Sequence, residues 1–298
     1  MNQEVKVSSE ERTEKLEGIG CKRKRQEDIR FTQGAGNFVD DVKMPGMLFG
    51  DFVRSPYAHA RITKIDKESA LAVDGVLAVI TAEDLIPLNL HYMPTLAGDV
   101  QAVLAHEKVL FQNQEVAFIV AKDRYAADDG VEALVVEYEE LEPLVDPFKS
   151  MADDAVILRE DIQDKTEGAH GPRVHPNHIF TWDAGDEDAT AKAFENADVV
   201  VKEYLDHPRV HPCPLETCAS VAHMDKITGQ LTLYGTFQAP HVVRTVASLI
   251  SDIPEHKIRV IAPDIGGGFG NKVGVYPGYV LSIVATIVTG KPVKWVED

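Results

Sequence analysis

A glycine-rich loop is the stretch of this 298-residue chain best suited to binding an anionic ligand. It reads Asp264-Ile-Gly-Gly-Gly-Phe-Gly-Asn-Lys272, after a predicted buried strand at 257–263 and before a predicted apolar helix at 276–289. Glycine permits positive φ and close approach of the backbone, so such a loop can direct several N–H groups at one anionic or oxo-bearing group. A turn without function is the alternative that the loop alone leaves open.

The loop matches neither of the usual nucleotide-binding patterns. A P-loop requires Gly-Lys-Ser/Thr, but Lys272 follows Asn271 and precedes Val273. The dinucleotide pattern also fails, because counting from Gly266 or Gly268 places Asn271 or Val273 at the position of its last glycine. The loop must therefore be interpreted together with other segments.

Gln238 is a second candidate, because it lies where a predicted strand runs into a predicted helix within Leu231–Val246. The alternative is that Gln238 caps this helix, since Ala239-Pro240 is typical of a helix start. For Phe269 in the glycine loop, the alternative to a binding role is a core aromatic that covers the loop.

A cluster of histidines and cysteines between residues 207 and 223 also has the residue types of a zinc site. Its spacing is not that of a finger or ribbon, and three prolines interrupt it. Cys218 begins an apolar strand, where a buried free thiol is the commoner outcome. The candidate ligands are His207, His211, Cys213, Cys218 and His223.

Hydrophobic periodicity predicts a mixture of strands and helices, and therefore an α+β fold. Predicted strands lie at 47–53, 62–65, 76–80, 115–121, 135–138, 199–204, 218–222, 231–234 and 257–263. Predicted helices lie at 124–134, 189–197, 241–251 and 276–289. The resulting division is a charged extension at 1–26, a domain at 27–146, a Pro- and Gly-containing linker at 147–178 and a second domain at 179–298.

Several segments together resemble the large, molybdenum-binding subunits of the xanthine dehydrogenase and aldehyde oxidase family, and look most like those of aerobic carbon monoxide dehydrogenases. The resemblance covers nearly the whole chain from about residue 10 onward. Besides Leu231–Val246 and the glycine loop, it is carried by Arg25–Asp41, Val53–Arg61 and His211–Cys218.

The resemblance implies an a/b hammerhead domain at 27–146, followed at 179–298 by the first part of a domain that binds the molybdenum cofactor. This cofactor would be molybdopterin cytosine dinucleotide with molybdenum, accompanied by copper in the full-length subunit. By match to the family, Gln238 would donate its side-chain amide to an oxo ligand of the metal. Phe269 and Gly270 would present backbone N–H groups, with Gly267 and Gly268 completing the binding loop. Glu216 belongs to a family signature, where it would orient neighbouring backbone.

The resemblance also implies what this chain lacks. The copper-holding cysteine and the glutamate near the metal would lie on later segments, so we expect no catalytic residue and no metal ligand here, and no activity from the chain alone. The partners would be a medium subunit with FAD and a small subunit with [2Fe–2S] clusters, assembled as a dimer of heterotrimers. The substrate would be a small molecule.

Composition sets further bounds. Thirty basic against 48 acidic residues give a net charge of −18, which argues against nucleic acid or an anionic membrane surface as a direct partner. Three cysteines form no disulfide framework, as expected in a reducing cytosol. The start has no apolar signal core and no apolar run reaches the roughly 20 residues of a membrane span. We expect a cytoplasmic protein, with peripheral attachment at the inner face of the membrane through the complex as an alternative.

Two alternatives remain open at this stage. One is a relative that hydroxylates aldehydes, purines or N-heterocycles, although Asn89–Ala102 and the glycine loop look more like the carbon monoxide enzymes. The other is a non-catalytic assembly module. The predicted helix Tyr276–Thr289 is apolar on nearly every side, so we expect residues beyond this chain to cover part of it. We expect the same of a neighbour for a predicted strand at Val293–Val296. An exposed apolar patch and an open strand edge are the predicted consequences.

Overall fold

Runs of β-branched and aromatic residues form most of the longer strands of the computed structural model, which describes residues 24–94, 100–160, 174–179 and 181–297, and the backbone of 167–168 and 171–172. The strands are β1 Leu48–Arg54, β2 Ala60–Asp66, β3 Val76–Thr81, β4 Tyr92–Pro94, β5 Val100–Ala102, β6 Lys108–Val109, β7 Glu115–Ala121, β8 Val135–Glu140, β9 Glu167–Gly168, β10 Gly171–Pro172, β11 Ala219–Met224, β12 Leu231–Gly235, β13 Ile258–Ile261 and β14 Val293–Val296.

The helices are mostly short, and several begin at a side-chain cap or a proline. Asp123 caps the helix that starts at Arg124, where its carboxylate accepts from the N–H of Ala126. The α-helices are α1 Asp28–Thr32, α2 Lys67–Leu71, α3 Ala82–Leu85, α4 Arg124–Ala133, α5 Glu187–Glu195, α6 Pro240–Ser251 and α7 Pro277–Thr289, and single 3₁₀ turns lie at Val39–Asp41, Ile86–Leu88 and Glu255–Lys257. None of the described helices is long and apolar enough to cross a membrane.

The described residues up to Asn37, which include α1, form one unit, and the described residues from Phe38 onward form another. The second unit contains a seven-stranded sheet in the order β13-β12-β11-β14-β1-β7-β3. Its strands come from both regions that the sequence separates, because β1, β3 and β7 precede the predicted linker and β11 to β14 follow it. The predicted α+β class and the hammerhead-plus-cofactor-domain arrangement are confirmed, whereas the boundaries at 27–146, 147–178 and 179–298 stay a prediction.

The predicted strand at 199–204 is wrong. Residues 199–214 form neither helix nor strand, and Val199, Val201 and Tyr204 are between 73 and 78% exposed. An apolar run becomes a strand only where a neighbour accepts and donates its backbone hydrogen bonds, and no described strand pairs with this segment.

The expectation that β14 and α7 lack cover is also wrong. β14 pairs with β11 on one side, antiparallel, and with β1 on the other, parallel, with Leu48 opposite Val293. Every residue of α7 from Pro277 to Thr286 is buried, and only the last turn is partly exposed at Ile287 and Val288. The hammerhead strands supply the neighbour that sequence reasoning expected from elsewhere.

A stack of aromatic rings joins α7 to both halves of the sheet. Trp295 of β14 lies with its ring centroid 5.7 Å from that of Tyr279 in α7 and 6.0 Å from that of Phe52 in β1. Helix and strand approach so closely that a Cβ on Gly278 would lie 2.4 Å from the Trp295 ring. This contact requires glycine and fixes α7, and therefore the loop before it, against the sheet.

Gly278→Ala should lower the free energy of unfolding of the chain by about 1–3 kcal/mol, because the new methyl group overpacks the Trp295 ring. In an uncrowded helix the same change stabilises by roughly 0.5–1 kcal/mol. Urea unfolding followed by tryptophan fluorescence measures the difference. Gly274→Ala is the control, since its added Cβ would meet only the Tyr276 ring, at 3.9 Å. A Gly278→Ala variant as stable as the parent would refute the close contact.

Candidate functional site

The glycine loop runs from the end of β13 to the start of α7, with its backbone in conformations that most residues avoid. Gly267 and Gly270 have φ of +102° and +87°, and Phe269 between them has φ of +52°. A phenylalanine in the left-handed region is costly, by roughly 1 kcal/mol or more. Its side chain is 75% exposed, so the interpretation of Phe269 as a core aromatic is wrong, and burial of the ring does not account for the strain.

Gln238 lies between β12 and α6, beside the loop. The residue that caps α6 is Ala239, and no side chain caps this helix, so the interpretation of Gln238 as a helix cap is wrong. Instead, Gln238 bonds twice to Lys272: its backbone N–H donates to the Lys272 carbonyl at 2.9 Å, and its side-chain Oε1 accepts from the Lys272 N–H at 3.0 Å.

The second of these bonds determines which way the side-chain amide of Gln238 points. A backbone N–H can only donate, so the amide oxygen must face Lys272 and the Nε2 group must face the other way. Gln238 is exposed, and Nε2 has no hydrogen-bond partner among the described residues. A neutral two-proton donor is thus held in a defined orientation at the surface of the loop.

Gly268 lies directly over this amide. A Cβ at Gly268 would stand 2.5 Å from Cδ and 2.7 Å from Oε1 of Gln238, which is closer than non-bonded atoms approach. Any side chain at this position would displace either the loop or the amide. The glycine is needed for the close approach of the loop to Gln238.

Glu216 and Lys272 form an ion pair that the sequence did not predict. Glu216 Oε2 accepts from Lys272 Nζ at 3.1 Å and from the backbone N–H of Gly266 at 2.7 Å. The Lys272 side chain is completely buried and that of Glu216 is 16% exposed. Glu216 also donates its own N–H to the Gly266 carbonyl at 3.3 Å. The expected role of Glu216 in orienting neighbouring backbone agrees with these bonds, but Lys272 entered the sequence argument only as a mismatch to the P-loop.

The far end of the loop is held by its own backbone and by one tyrosine. Asn271 N–H donates to the Gly268 carbonyl at 2.8 Å, and Tyr276 Oη donates to the Asn271 carbonyl at 2.5 Å. Burial raises the pKa of the Tyr276 phenol, so the hydroxyl stays protonated and remains a donor at neutral pH.

The arrangement suits an anionic group approached from the solvent side. In the part of the chain that the structure describes, three donors have no acceptor: the backbone N–H groups of Phe269 and Gly270 and the Nε2 group of Gln238. A Cβ on Gly270 would meet nothing within 4 Å, so there is open space beside the backbone of the loop at this residue. The structure thus brings together all five residues of the predicted binding set: Gln238, Gly267, Gly268, Phe269 and Gly270.

The histidine and cysteine cluster does not assemble into a metal site. Within the described ranges, no three His, Cys, Asp or Glu side chains converge as metal ligands. Cys218 is buried, and burial raises the pKa of its thiol. Cys213 is exposed, with φ of +46°. The zinc alternative therefore has no support in the structure.

Comparison with known proteins places this geometry in a family. Residues 33–142 match the a/b hammerhead domain of aldehyde oxidase and xanthine dehydrogenase, and residues 170–298 match the molybdopterin cofactor-binding domain. The chain belongs to the xanthine dehydrogenase and aldehyde oxidase family. The predicted recognition is confirmed, and the glycine loop and Gln238 both lie within the segment that matches the cofactor-binding domain.

Individual relatives differ widely in similarity. The chain is 70% identical to the carbon monoxide dehydrogenase large chain of Afipia carboxidovorans over 99% of its own length and 36% of the relative's. It is 34% identical to the nicotine 6-hydroxylase large subunit of Paenarthrobacter nicotinovorans, covering 94% of this chain and 33% of that one. The solved structure of reconstituted CO dehydrogenase from Oligotropha carboxidovorans superimposes with a TM-score of 0.90 at 70% identity, over 99% of this chain and 37% of that one. The chain spans about a third of the length of each of these three proteins.

Thiol labelling should separate the two described cysteines. In the folded chain carrying Cys21→Ser, iodoacetamide at pH 8 should modify Cys213 and spare Cys218, because only an accessible thiolate reacts and burial both raises the pKa of Cys218 and shields it. Mass spectrometry of peptides measures both sites, and unfolding in urea is the control that should label both. Adding zinc should not change the rate at Cys213; zinc protection would revive the metal-site interpretation.

Proposed function

We propose that this chain is part of the molybdenum-binding large subunit of a carbon monoxide dehydrogenase. The reaction would be oxidation of CO with water to CO2, releasing two protons and two electrons. The observation that carries the proposal is the oriented donor set at the glycine loop, where Gln238 Nε2 and the N–H groups of Phe269 and Gly270 lack acceptors within the described chain. The contrast between 70% and 34% identity favours CO over an N-heterocyclic substrate.

The residues of the loop fit the molybdenum cofactor. When bound, that cofactor would supply the two-electron oxidation of the substrate. The protein would supply Gln238 Nε2 and the backbone N–H groups of Phe269 and Gly270 as neutral, preorganised donors, which stabilise negative charge without having to reorient. Gly268 would keep the loop against the amide of Gln238, and the positive φ at Gly267 and Gly270 would turn the intervening N–H groups outward.

The remaining machinery would lie outside this chain. The proposed cofactor form is molybdopterin cytosine dinucleotide, with copper held by a cysteine of the longer subunit. Electrons would pass to [2Fe–2S] clusters on a small subunit and to FAD on a medium subunit, in a dimer of heterotrimers. No residue of this chain is proposed to bind copper or to act as a general base, and the proposed location is the cytoplasm, including the inner face of the membrane through the complex.

A hydroxylase of aldehydes, purines or N-heterocycles is the second candidate, supported by the hydroxylase relative. An assembly module without activity is a third. A direct assay distinguishes them: the assembled enzyme is given CO, nicotine, xanthine or an aldehyde, and reduction of an artificial electron acceptor is followed. CO-dependent reduction by the complex and none by the isolated chain is expected. Activity with only an N-heterocycle, purine or aldehyde would replace the CO proposal, and a complex inactive with every substrate would favour the assembly module.

Gln238→Ala in the assembled enzyme should lower kcat by about 10²-fold, the usual order for loss of one preorganised donor. Molybdenum content should change little, because the backbone donors of the loop remain. The CO-dependent rate and metal analysis of the same preparation measure the two effects. Gln230→Ala is the matched control, since Gln230 is an exposed glutamine in the turn before β12. An unchanged kcat in fully loaded Gln238→Ala would show that this amide plays no part in turnover.

A further inference from the structure

The contacts around Gln238 form a continuous chain that begins at a buried charge. Glu216 Oε2 binds Lys272 Nζ and the N–H of Gly266, one at each end of the loop. Lys272 in turn holds Gln238 through two backbone bonds, one to the backbone N–H and one to the side-chain oxygen of Gln238. The loop is therefore closed by the carboxylate of Glu216 and joined to the amide by Lys272.

We infer that Lys272 and Glu216 are positioning residues for the donor amide of Gln238. Their ion pair sets the place of the Lys272 backbone, and the Lys272 N–H sets which end of the amide faces outward. This inference deepens the proposed function and rests on it for its kinetic consequence. Its structural consequence, the order of the loop and of Gln238, stands independently of any substrate.

Burial makes this coupling strong. The ammonium group of Lys272 is completely enclosed, and an enclosed charge without its partner is strongly unfavourable. The pair therefore cannot loosen by moving the ammonium into water without opening the loop. Exposed ion pairs lack this property, because solvent replaces the partner at little cost.

The geometry also explains why a lysine backbone, rather than any backbone, holds Gln238. The side chain of residue 272 points into the protein towards Glu216, while its N–H and carbonyl both face Gln238. An uncharged side chain at position 272 would still offer a backbone N–H and a carbonyl to Gln238. It would lack the bond to Glu216 that fixes where these two groups lie. Glu216→Gln keeps an acceptor for Gly266 N–H but leaves the enclosed ammonium of Lys272 without its counter-charge, whereas replacing Lys272 by a neutral residue leaves the partly exposed carboxylate of Glu216 unpaired.

The test uses hydrogen–deuterium exchange and kinetics on the assembled enzyme carrying Lys272→Met, Glu216→Gln or both. Exchange should accelerate in peptides containing the amides of Gly266, Lys272 and Gln238, while those of α7 (277–289) remain protected. The double variant contains no unpaired buried charge, so it remains informative if either single variant fails to fold. Unchanged exchange of the loop in folded variants would overturn the inference.

Lys294→Met is the matched control, because it removes another lysine that is only 2% exposed and pairs with Asp40. Lys294 lies in β14, and its ammonium donates to the carbonyl and to the carboxylate of Asp40 rather than to a group of the glycine loop. If burial of a lysine mattered only for general stability, both lysine variants would loosen the loop to a similar degree. We expect Lys294→Met to leave exchange of the loop amides as in the parent.

Kinetics separate positioning from general damage. Lys272→Met should lower kcat by roughly 10- to 100-fold with KM changed by less than about threefold, because a donor to the reacting centre is misplaced while access of the small substrate is retained. Combined with Gln238→Ala, it should cause little further loss, since both act through the same amide. Independent, multiplicative losses would overturn the inference. If the parent proves inactive with CO, the proposed function fails, and the exchange results still decide whether Lys272 and Glu216 position Gln238.

Discussion

A fully buried ammonium group constrains the fold, because burying the charge without a carboxylate partner is strongly unfavourable. In this chain the group is Lys272 and the carboxylate is Glu216, 56 positions earlier. Since Lys272 closes the glycine loop and Glu216 follows an exposed irregular segment, the ion pair ties two otherwise weakly structured stretches together. The donor arrangement at Gln238 depends on that tie.

The loop also needs a rigid base, and the seven-stranded sheet provides it. The loop leaves β13, an edge strand, and enters α7, whose buried face meets Trp295 on β14. β14 is itself held by β11 and β1, so strands from both sequence regions support the loop. Displacing the hammerhead strands would remove one neighbour of β14 and disturb the helix that ends the loop. The hammerhead region therefore has a structural role in a site to which none of its described side chains contributes.

Most elements could be predicted from the sequence because their signals are local. The apolar run of β7, the proline at the start of α6 and the glycine-rich turn before α7 each indicate their own structure. The segment at 199–204 carries the same local signal as β7 and forms no strand, since strand formation also requires a partner. The neighbours of β14 were misjudged for the related reason that β1 lies more than 200 residues away. Hydrophobic periodicity within one segment carries no information on which distant strand will pair with it.

The site was partly predictable for the same reason. Glycines and Gln238 stand out by type and by position at strand–helix junctions, and the resemblance to a family supplied their expected roles. Lys272 gave no such signal, because a lysine after a glycine loop suggests a solvent-exposed or phosphate-binding side chain. Only the fold reveals that the Lys272 ammonium is neutralised inside the protein by the carboxylate of Glu216.

That internal neutralisation has a consequence for the chemistry the loop can support. If the Lys272 ammonium were directed at the ligand, it would bind any anion strongly in ground and transition states alike, which does not lower a barrier. With the charge satisfied inside, the groups left facing outward are neutral N–H dipoles held at fixed positions. Such dipoles stabilise charge that develops during a reaction without first having to reorganise. The molybdenum cofactor proposed for this loop, which would supply a two-electron oxidation, would be suited to that environment. The buried pair and the exposed amide are thus two parts of one electrostatic arrangement, in which the charged part supplies rigidity and the neutral part faces the ligand.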